Sequence, residues 1–192
     1  YNKKKINQVI ILGRISPNKR LDESIKVFAR GAKYSNYSLV VIGGMIGDSE
    51  EYINYLKKIA EREGIIDKIE FIGNPSFDRL KSVVEESKIL IECQRDISLT
   101  MTSIECLAAG VVVLVHRNGG TYTEVLDNGK YGVGFDSVEE GAERLNKLIG
   151  KLDEKRIKSK KLVDRAKFFS GEKFKERLGE ILVTNGLWQG LC

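Results

Sequence analysis

A run of hydroxyl-bearing residues leading into a helix with a carboxylate is the combination in this chain best suited to chemistry. It lies between Ile89 and Glu124. A short apolar strand, Ile89-Leu90-Ile91, passes through a polar loop rich in Ser and Thr into Ile104-Glu105-Cys106-Leu107-Ala108-Ala109-Gly110. A second apolar strand, Val111 to Val115, follows at once, and then Gly119-Gly120 with Glu124 shortly after. With Glu105 in the first turn of a helix, backbone N–H groups and the positive helix end take phosphate, and the carboxylate takes the hydroxyls of a ribose or sugar. A sugar nucleotide needs both. A first-turn Glu is also an ordinary feature of α/β proteins, favoured by the helix dipole alone.

A second constellation lies near the N-terminus. Val9-Ile10-Ile11-Leu12 reads as a buried strand that opens into Gly13-Arg14-Ile15-Ser16-Pro17-Asn18-Lys19-Arg20. A helix with Leu21, Ile25, Phe28, Ala29 and Ala32 on one face comes next. Arg14 thus falls just past the C-terminal end of the first strand and Lys19 just before its helix, where open α/β sheets bind ligands. An Arg fork and a Lys point charge suit a diphosphate. The Gly-Lys-Ser/Thr end of a Walker loop is missing, and a lone Gly13 is no dinucleotide fingerprint. By itself the octad is also compatible with a solvated basic loop.

The elements that position these residues alternate without repeats or low-complexity tracts. Strand patterns fall near residues 8–12, 38–43, 68–72, 88–92, 111–115 and 131–135, with helices between them. The helix near 50–63 has Asp48 and Ser49 as cap candidates, an apolar face of Tyr52, Leu56, Ile59 and Ala60, and Gly64 as its stop. Ser137-x-x-Glu140 is a capping box opening the helix that carries Val138, Ala142, Leu145 and Ile149. Apolar strands alternating with amphipathic helices predict an α/β fold, a Rossmann-like doubly wound parallel sheet of about six strands. Gly43-Gly44 with Gly47 is read as a tight turn, because the Gly-x-Gly-x-x-Gly order is absent.

Gly13-Arg14 followed by Pro17-Asn18-Lys19, then Phe71-Ile72-Gly73, then Glu105-Cys106-Leu107-Ala108-Ala109-Gly110, then Gly119-Gly120 with Glu124, resemble in order and spacing the C-terminal, donor-binding domain of family 4 retaining glycosyltransferases of the GT-B fold. The likeness covers nearly the whole chain. Within the family, Val40-Val41-Ile42-Gly43-Gly44, Phe77-Asp78-Arg79-Leu80-Lys81 and the Glu105 helix with His116 are most similar to the α-1,2-mannosyltransferase branch that extends dolichol-linked oligosaccharides from GDP-mannose. The resemblance implies a nucleotide-sugar donor, GDP-mannose or a UDP-sugar, and no further cofactor. It places Gly13, Arg14 and Lys19 at the donor diphosphate. Glu105 becomes the second Glu of the Glu-x7-Glu motif, on the ribose hydroxyls. Thr100, Met101, Thr102 and Ser103 form the helix start whose backbone reaches the distal phosphate, and Gly73 and Asn74 become candidates for the nucleobase.

Two departures qualify it. The first Glu of the motif should stand eight residues before Glu105, and Ile97 stands there; the Phe-Gly that should follow is Leu99-Thr100. In the family that carboxylate contacts the donor sugar, so Asp96, one residue away, is the candidate catalytic carboxylate. Three residues separate Gly120 from Glu124, where the family more often has two.

Length and composition bound the organisation. A chain of 192 residues holds one domain or two small ones, too little for a complete two-domain GT-B enzyme. The expected division is a polar linker over 1–7, a nucleotide-sugar-binding domain over 8–150, and C-terminal helices over 151–192. The last two helices, near 153–167 and 170–182, would cross back onto an acceptor-binding N-terminal half taken to be missing. Phe168, Phe169, Phe174 and Trp188 would then face that half or pack on this domain's own sheet.

The net charge of +5 comes from scattered Lys and Arg, densest from Lys151 to Lys167 and interspersed with acids. A mixed, solvated helix is expected there, with no nucleic acid as partner. The longest apolar runs fall short of a membrane span, so any membrane association of the full-length protein would be peripheral, on the cytoplasmic side. Cys93, Cys106 and Cys192 lack metal spacing and fit a reducing compartment; with one His and no Asp-x-Asp, no metal site is expected. Three functions compete: the donor half of a retaining mannosyl- or other hexosyltransferase acting on a lipid-linked or soluble glycan, a nucleotide-sugar-binding module without turnover, and a basic interaction domain for nucleic acid or membrane.

Overall fold

The computed structural model describes residues 4–45, 47, 49–154 and 159–185. Six strands, β1 (Gln8–Leu12), β2 (Ser38–Gly43), β3 (Ile69–Gly73), β4 (Ile89–Glu92), β5 (Val112–His116) and β6 (Val133–Phe135), form one sheet in the order β3-β2-β1-β4-β5-β6. Every pairing is parallel. The helices between them are α1 (Leu21–Ala32), α2 (Ser49–Arg62), α3 (Phe77–Glu86), α4 (Met101–Ala108) and α5 (Val138–Asp153), followed by α6 (Ser159–Lys167) and α7 (Gly171–Thr184).

The central strands are apolar throughout because helices cover both of their faces. Val9 and Ile10 of β1, Leu39 and Ile42 of β2, Ile89 of β4 and Val113 and Leu114 of β5 have essentially no exposed surface. The apolar faces read from the sequence are the ones buried. Leu21, Ile25, Phe28, Ala29 and Ala32 of α1 enter the core, as do Leu56, Ile59 and Ala60 of α2 and Ala142, Leu145 and Ile149 of α5. Burying each such large side chain stabilises the fold by about 1.5–3 kcal/mol. The buried Tyr37 anchors the far end of α5, its hydroxyl donating to Asp153 Oδ1 at 3.1 Å.

Four of the six strands shift by a residue or two, at one end or both, from the sequence reading. The sixth strand is shortest because the chain is still turning at Tyr131, whose N–H donates to the Leu126 carbonyl at 3.0 Å. Gly64 ends α2 with φ +68°, as its stop role requires. Asp48, one of the two cap candidates for α2, lies outside the described residues. Ser49 is the first helical residue instead, buried, with its hydroxyl donating to the Ile15 carbonyl at 3.0 Å. In the capping box, Ser137 Oγ accepts from Glu140 N at 3.1 Å. The Glu140 carboxylate reaches the N–H of Asp136, at 2.9 Å, in place of the cap residue's own. Arg117 grips the same carboxylate through both terminal nitrogens, at 2.8 and 2.9 Å, and holds its pKa down to about 2.

Gly43 and Gly13 meet where β2 and β1 end. A Cβ on Gly43 would lie 1.7 Å from the Gly13 carbonyl oxygen, so only glycine lets these backbones approach. Gly13 N then donates to Ile42 O and Ile15 N to Gly44 O, which ties down the base of the octad. Gly43 thus ends β2 and Gly44 follows it without a turn, both held against the neighbouring loop, where a tight turn was expected. In the segment before β1, Lys5 Nζ donates to the Ala109 carbonyl at 2.8 Å.

Phe169 packs half-buried on the core, whereas Phe168 and Phe174 are exposed. No residue of α7 is buried, and Phe174, Leu178 and Ile181 lie exposed along it. Trp188 and Cys192 lie outside the described residues. Among the described residues no helix is long and apolar enough to cross a membrane, and no three His, Cys, Asp or Glu side chains gather as a metal site would require.

Candidate functional site

β1 and β4 are adjacent in the sheet, and the chain leaves them towards opposite edges, β1 towards β2 and β4 towards β5. This is the switch point, where the loops after two neighbouring strands part and leave a crevice. The octad after β1 and the loop after β4 line it. Lys19 spans the two, its Nζ donating to Gln94 Oε1 at 2.6 Å. Arg20 and Arg95 share the one carboxylate of Glu23 of α1, each at 2.7 Å. Arg14 is exposed and makes no hydrogen bond or ion pair among the described residues. Positive charge is therefore left over at Arg14 and at Lys19, whose close partner is a neutral amide.

The far wall is the start of α4. Thr100 is its N-cap residue, in extended conformation, yet its side chain does not cap the helix. Thr100 Oγ1 instead donates inward to Glu92 Oε2 at 2.9 Å, and Ser103 Oγ donates to the same oxygen at 2.8 Å. The hydroxyls of Thr100 and Ser103 are thus engaged beneath the helix, and the N–H groups of Met101, Thr102 and Ser103 carry the polarity of its end. Glu105 corrects the sequence reading: the helix starts at Met101, so Glu105 stands exposed in the second turn and not in the first. Glu92 sets that start by binding Thr100 and Ser103.

Glu92 is the residue that sequence reading missed. It ends β4, and desolvation pushes its carboxyl above the usual carboxylate range, against the pull of Ser103, Thr100 and Lys19. The available signal was an acid closing an otherwise apolar strand that must be covered on both faces.

The loop after β4 is clamped to the loop after β5. Asp96 N donates to Asn118 O at 3.1 Å and Asn118 Nδ2 to Asp96 Oδ1 at 3.0 Å; Gly120 N donates to Ile97 O at 2.9 Å and Thr100 N to Thr121 Oγ1 at 3.2 Å. Asp96 has φ +55° and is exposed, while Ile97 is half-buried and packs beside Gly119. A Cβ on Gly120 would fall 1.5 Å from the Ser98 carbonyl oxygen, which accounts for that glycine. His116 supports the clamp from below: Nδ1 accepts from Asn118 N at 3.0 Å, so Nε2 carries the proton, donated to Asp136 O at 3.1 Å. The extra residue between Gly120 and Glu124 is taken up in a π turn over Thr121–Val125, closed by Leu126 N to Thr121 O at 2.9 Å.

Glu105 lines a groove of about 370 Å³ between α3 and α4, with Leu12, Phe77, Leu80, Lys81 and Val84 among its other walls. Gly73 and Asn74 do not line this groove. They sit at the end of β3, where Asn74 Oδ1 accepts from Met45 N at 2.8 Å and the Met45 side chain covers Gly73. The structure joins Lys19 to the loop after β4, leaves Arg14 exposed in the same octad, sets Glu105 in a groove between α3 and α4, and leaves Gly73 and Asn74 beside β2.

This architecture is that of a Rossmann-like half of a GT-B glycosyltransferase. It matches the C-terminal domain of the glycosyl transferase group 1 family protein LpcC from Francisella tularensis with a TM-score of 0.74, at 19% identity over 86% of this chain and 87% of that one. It also matches Anabaena Alr3699/HepE, solved with UDP and glucose, with a TM-score of 0.76, at 16% identity over 93% of this chain and 48% of that one. The family model of glycosyl transferases group 1 matches residues 1–168, and the chain belongs to that family. Among curated relatives, the human GDP-Man:Man(3)GlcNAc(2)-PP-Dol alpha-1,2-mannosyltransferase is 27% identical over 163 residues, 80% of this chain and 33% of that protein. Its mouse counterpart is 30% identical over 125 residues, 62% of this chain and 25% of that protein. The chain therefore spans about a quarter to a third of the length of these relatives.

Proposed function

We propose that this chain is the donor-binding half of a retaining glycosyltransferase whose donor is a nucleoside-diphosphate sugar, GDP-mannose first and a UDP-sugar second. The observation that carries the proposal is the switch-point crevice, with Arg14 unpartnered on one side and the start of α4 on the other. The diphosphate lies between Arg14 and Lys19, over Gly13, and its distal phosphate takes the N–H groups at Met101 to Ser103. Glu105 accepts from the ribose hydroxyls, and Gly73 and Asn74, at the end of β3 and outside that groove, take the nucleobase. Asp96, fixed by Asn118, is the carboxylate for the donor sugar in place of the Glu that Ile97 displaces.

Residues 8–150 form the donor unit, α6 packs on it through Leu162 and Ala166, and the exposed face of α7 packs on an N-terminal acceptor-binding half. Without that half the chain binds donor but does not transfer sugar, since a GT-B site closes only between two domains. The whole protein works on the cytoplasmic side, on a lipid-linked or soluble glycan, peripherally if at a membrane. Calorimetric titration with GDP-mannose, UDP-glucose and UDP-N-acetylglucosamine tests this reading. Saturable binding of one of them supports it; no binding of any overturns it.

The basic-domain alternative finds less support. In α6, Arg165 donates to the backbone carbonyls of Glu124 and Val125 and lies over Tyr131, Phe168 and Phe169, while Lys161 donates to Lys130 O. Such cations hold the helix to the domain and do not form a free positive stripe.

A further inference from the structure

Glu92 occupies the underside of the same helix end that the proposed function gives to the distal phosphate. Its Oε2 accepts from Thr100 at the N-cap and from Ser103 in the first turn, so it fixes where α4 begins. The other charged or titratable groups that face it are Lys19, from the loop after β1, and Cys106, from α4 itself. Cys106 is fully buried, and its thiol is held protonated by that burial, so Lys19 is the only nearby charge that balances the carboxylate among the described residues.

A helix end carries about half a positive charge, and Lys19 adds one more. Glu92 and a diphosphate diester together bring three negative charges to about two and a half positive ones, from Arg14, Lys19 and the helix end. When anionic groups crowd one site, the usual response is that one of them takes up a proton.

We propose that Glu92 is a positioning residue of the donor site that becomes protonated when the donor diphosphate binds, so that donor binding is coupled to uptake of a proton. As a neutral acid it still accepts at least one of the two hydroxyl bonds, and α4 keeps its start. With Glu92 neutral, the charge of Lys19, whose own bond is to Gln94, acts on the diphosphate alone. The desolvation that already raises the Glu92 carboxyl favours this protonation. The inference rests on the proposed diphosphate site and adds a proton to its binding reaction.

GDP-mannose is the suitable probe because its diphosphate is a diester with no proton to exchange near neutrality. Titrating it into this chain in two buffers of different ionisation enthalpy, at steps from pH 5.5 to 8, counts the protons taken up. Up to about one proton per GDP-mannose is expected over part of that range, with affinity falling up to about tenfold per pH unit there. In Glu92→Gln the uptake should vanish and the affinity should become flat with pH. Because Glu92→Gln could disturb α4, carboxyl ¹³C NMR of the unaltered chain provides a second reading. One glutamate signal should move from the ionised to the protonated position when GDP-mannose is added at constant pH.

Binding without proton uptake across the whole range, uptake that persists in Glu92→Gln, or no glutamate signal that moves would overturn the inference while leaving the donor site standing. If GDP-mannose does not bind but UDP-glucose does, the same measurements are made with UDP-glucose. If neither binds, it is the donor-site reading that fails.

Discussion

Replacing Arg14 with Ala separates binding from folding more cleanly than any other change in the crevice. The side chain is exposed and has no hydrogen bond or ion pair among the described residues, so its loss should move the stability of the chain by no more than about 0.5 kcal/mol. Its contribution to a bound diphosphate is a charge-assisted hydrogen bond, about 1.5–3 kcal/mol, which corresponds to roughly 10- to 150-fold in affinity. Lys19→Ala provides the contrast. It should weaken binding too, but it also releases Gln94 and the tie between the loops after β1 and β4, so its unfolding midpoint should fall as well. Arg14→Lys should lie between wild type and Arg14→Ala, because a point charge keeps the attraction and loses the fork. Calorimetry with GDP and with UDP at low salt measures the affinities, and urea unfolding measures stability. Unchanged affinity of Arg14→Ala for both nucleotides would refute the placement of the diphosphate, whatever its effect on stability.

Glu105→Gln should lower nucleotide affinity while leaving the binding of inorganic pyrophosphate nearly unchanged; equal losses would make Glu105 a structural residue. Gly120→Ala places a methyl group 1.5 Å from the Ser98 oxygen, so the clamp must part, at a cost of about 1 kcal/mol for each of the hydrogen bonds Gly120–Ile97 and Asp96–Asn118. In urea unfolding Gly44→Ala, which meets open space, should cost much less, and similar losses for the two would contradict the clamp. Glu140, with its pKa held near 2 by Arg117, stabilises the fold above the ordinary carboxylate range and loses that contribution as pH falls from about 4.5 towards 2. Unfolding of Glu140→Gln should accordingly depend less on pH in that interval than wild type does, and identical pH profiles would count against the pair. In the complete protein, Asp96→Asn should reduce sugar transfer by about 10²-fold or more with GDP affinity kept, whereas full activity would remove Asp96 from the reaction.

Most of the architecture was legible because each element repeats a single physical signal. An all-apolar strand such as Val111–Val115 needs cover on both faces, and the amphipathic α1, α2 and α5 supply it. What escaped depended on contacts distant in sequence. The sequence reading puts Glu105 in the first turn of α4, whereas Glu92, eight residues before Thr100, binds Thr100 and Ser103 and the helix begins a turn earlier. The hold of Lys19 on Gln94 spans 75 positions and leaves no local pattern. The capping box was half right for a similar reason: Arg117, twenty-three residues upstream, draws the Glu140 carboxylate to itself.

The backbone of its loop accommodates the departure at Ile97. In this loop the backbone, not the side chain at 97, bears the geometry, since Ile97 offers its carbonyl to Gly120 and rests its side chain beside Gly119. The neighbouring Asp96 is turned outward by a left-handed backbone conformation and steadied by Asn118, which His116 steadies in turn. Under the proposed function this exposed carboxylate, one position before the expected one, would serve the donor sugar. The clamp that holds it depends on the close approach of Gly120 to Ser98 and on the π turn that absorbs one extra residue before Glu124. The two departures from the family pattern therefore belong to the same pair of loops, and a change that restores Glu at position 97 would have to be judged with the π turn in place.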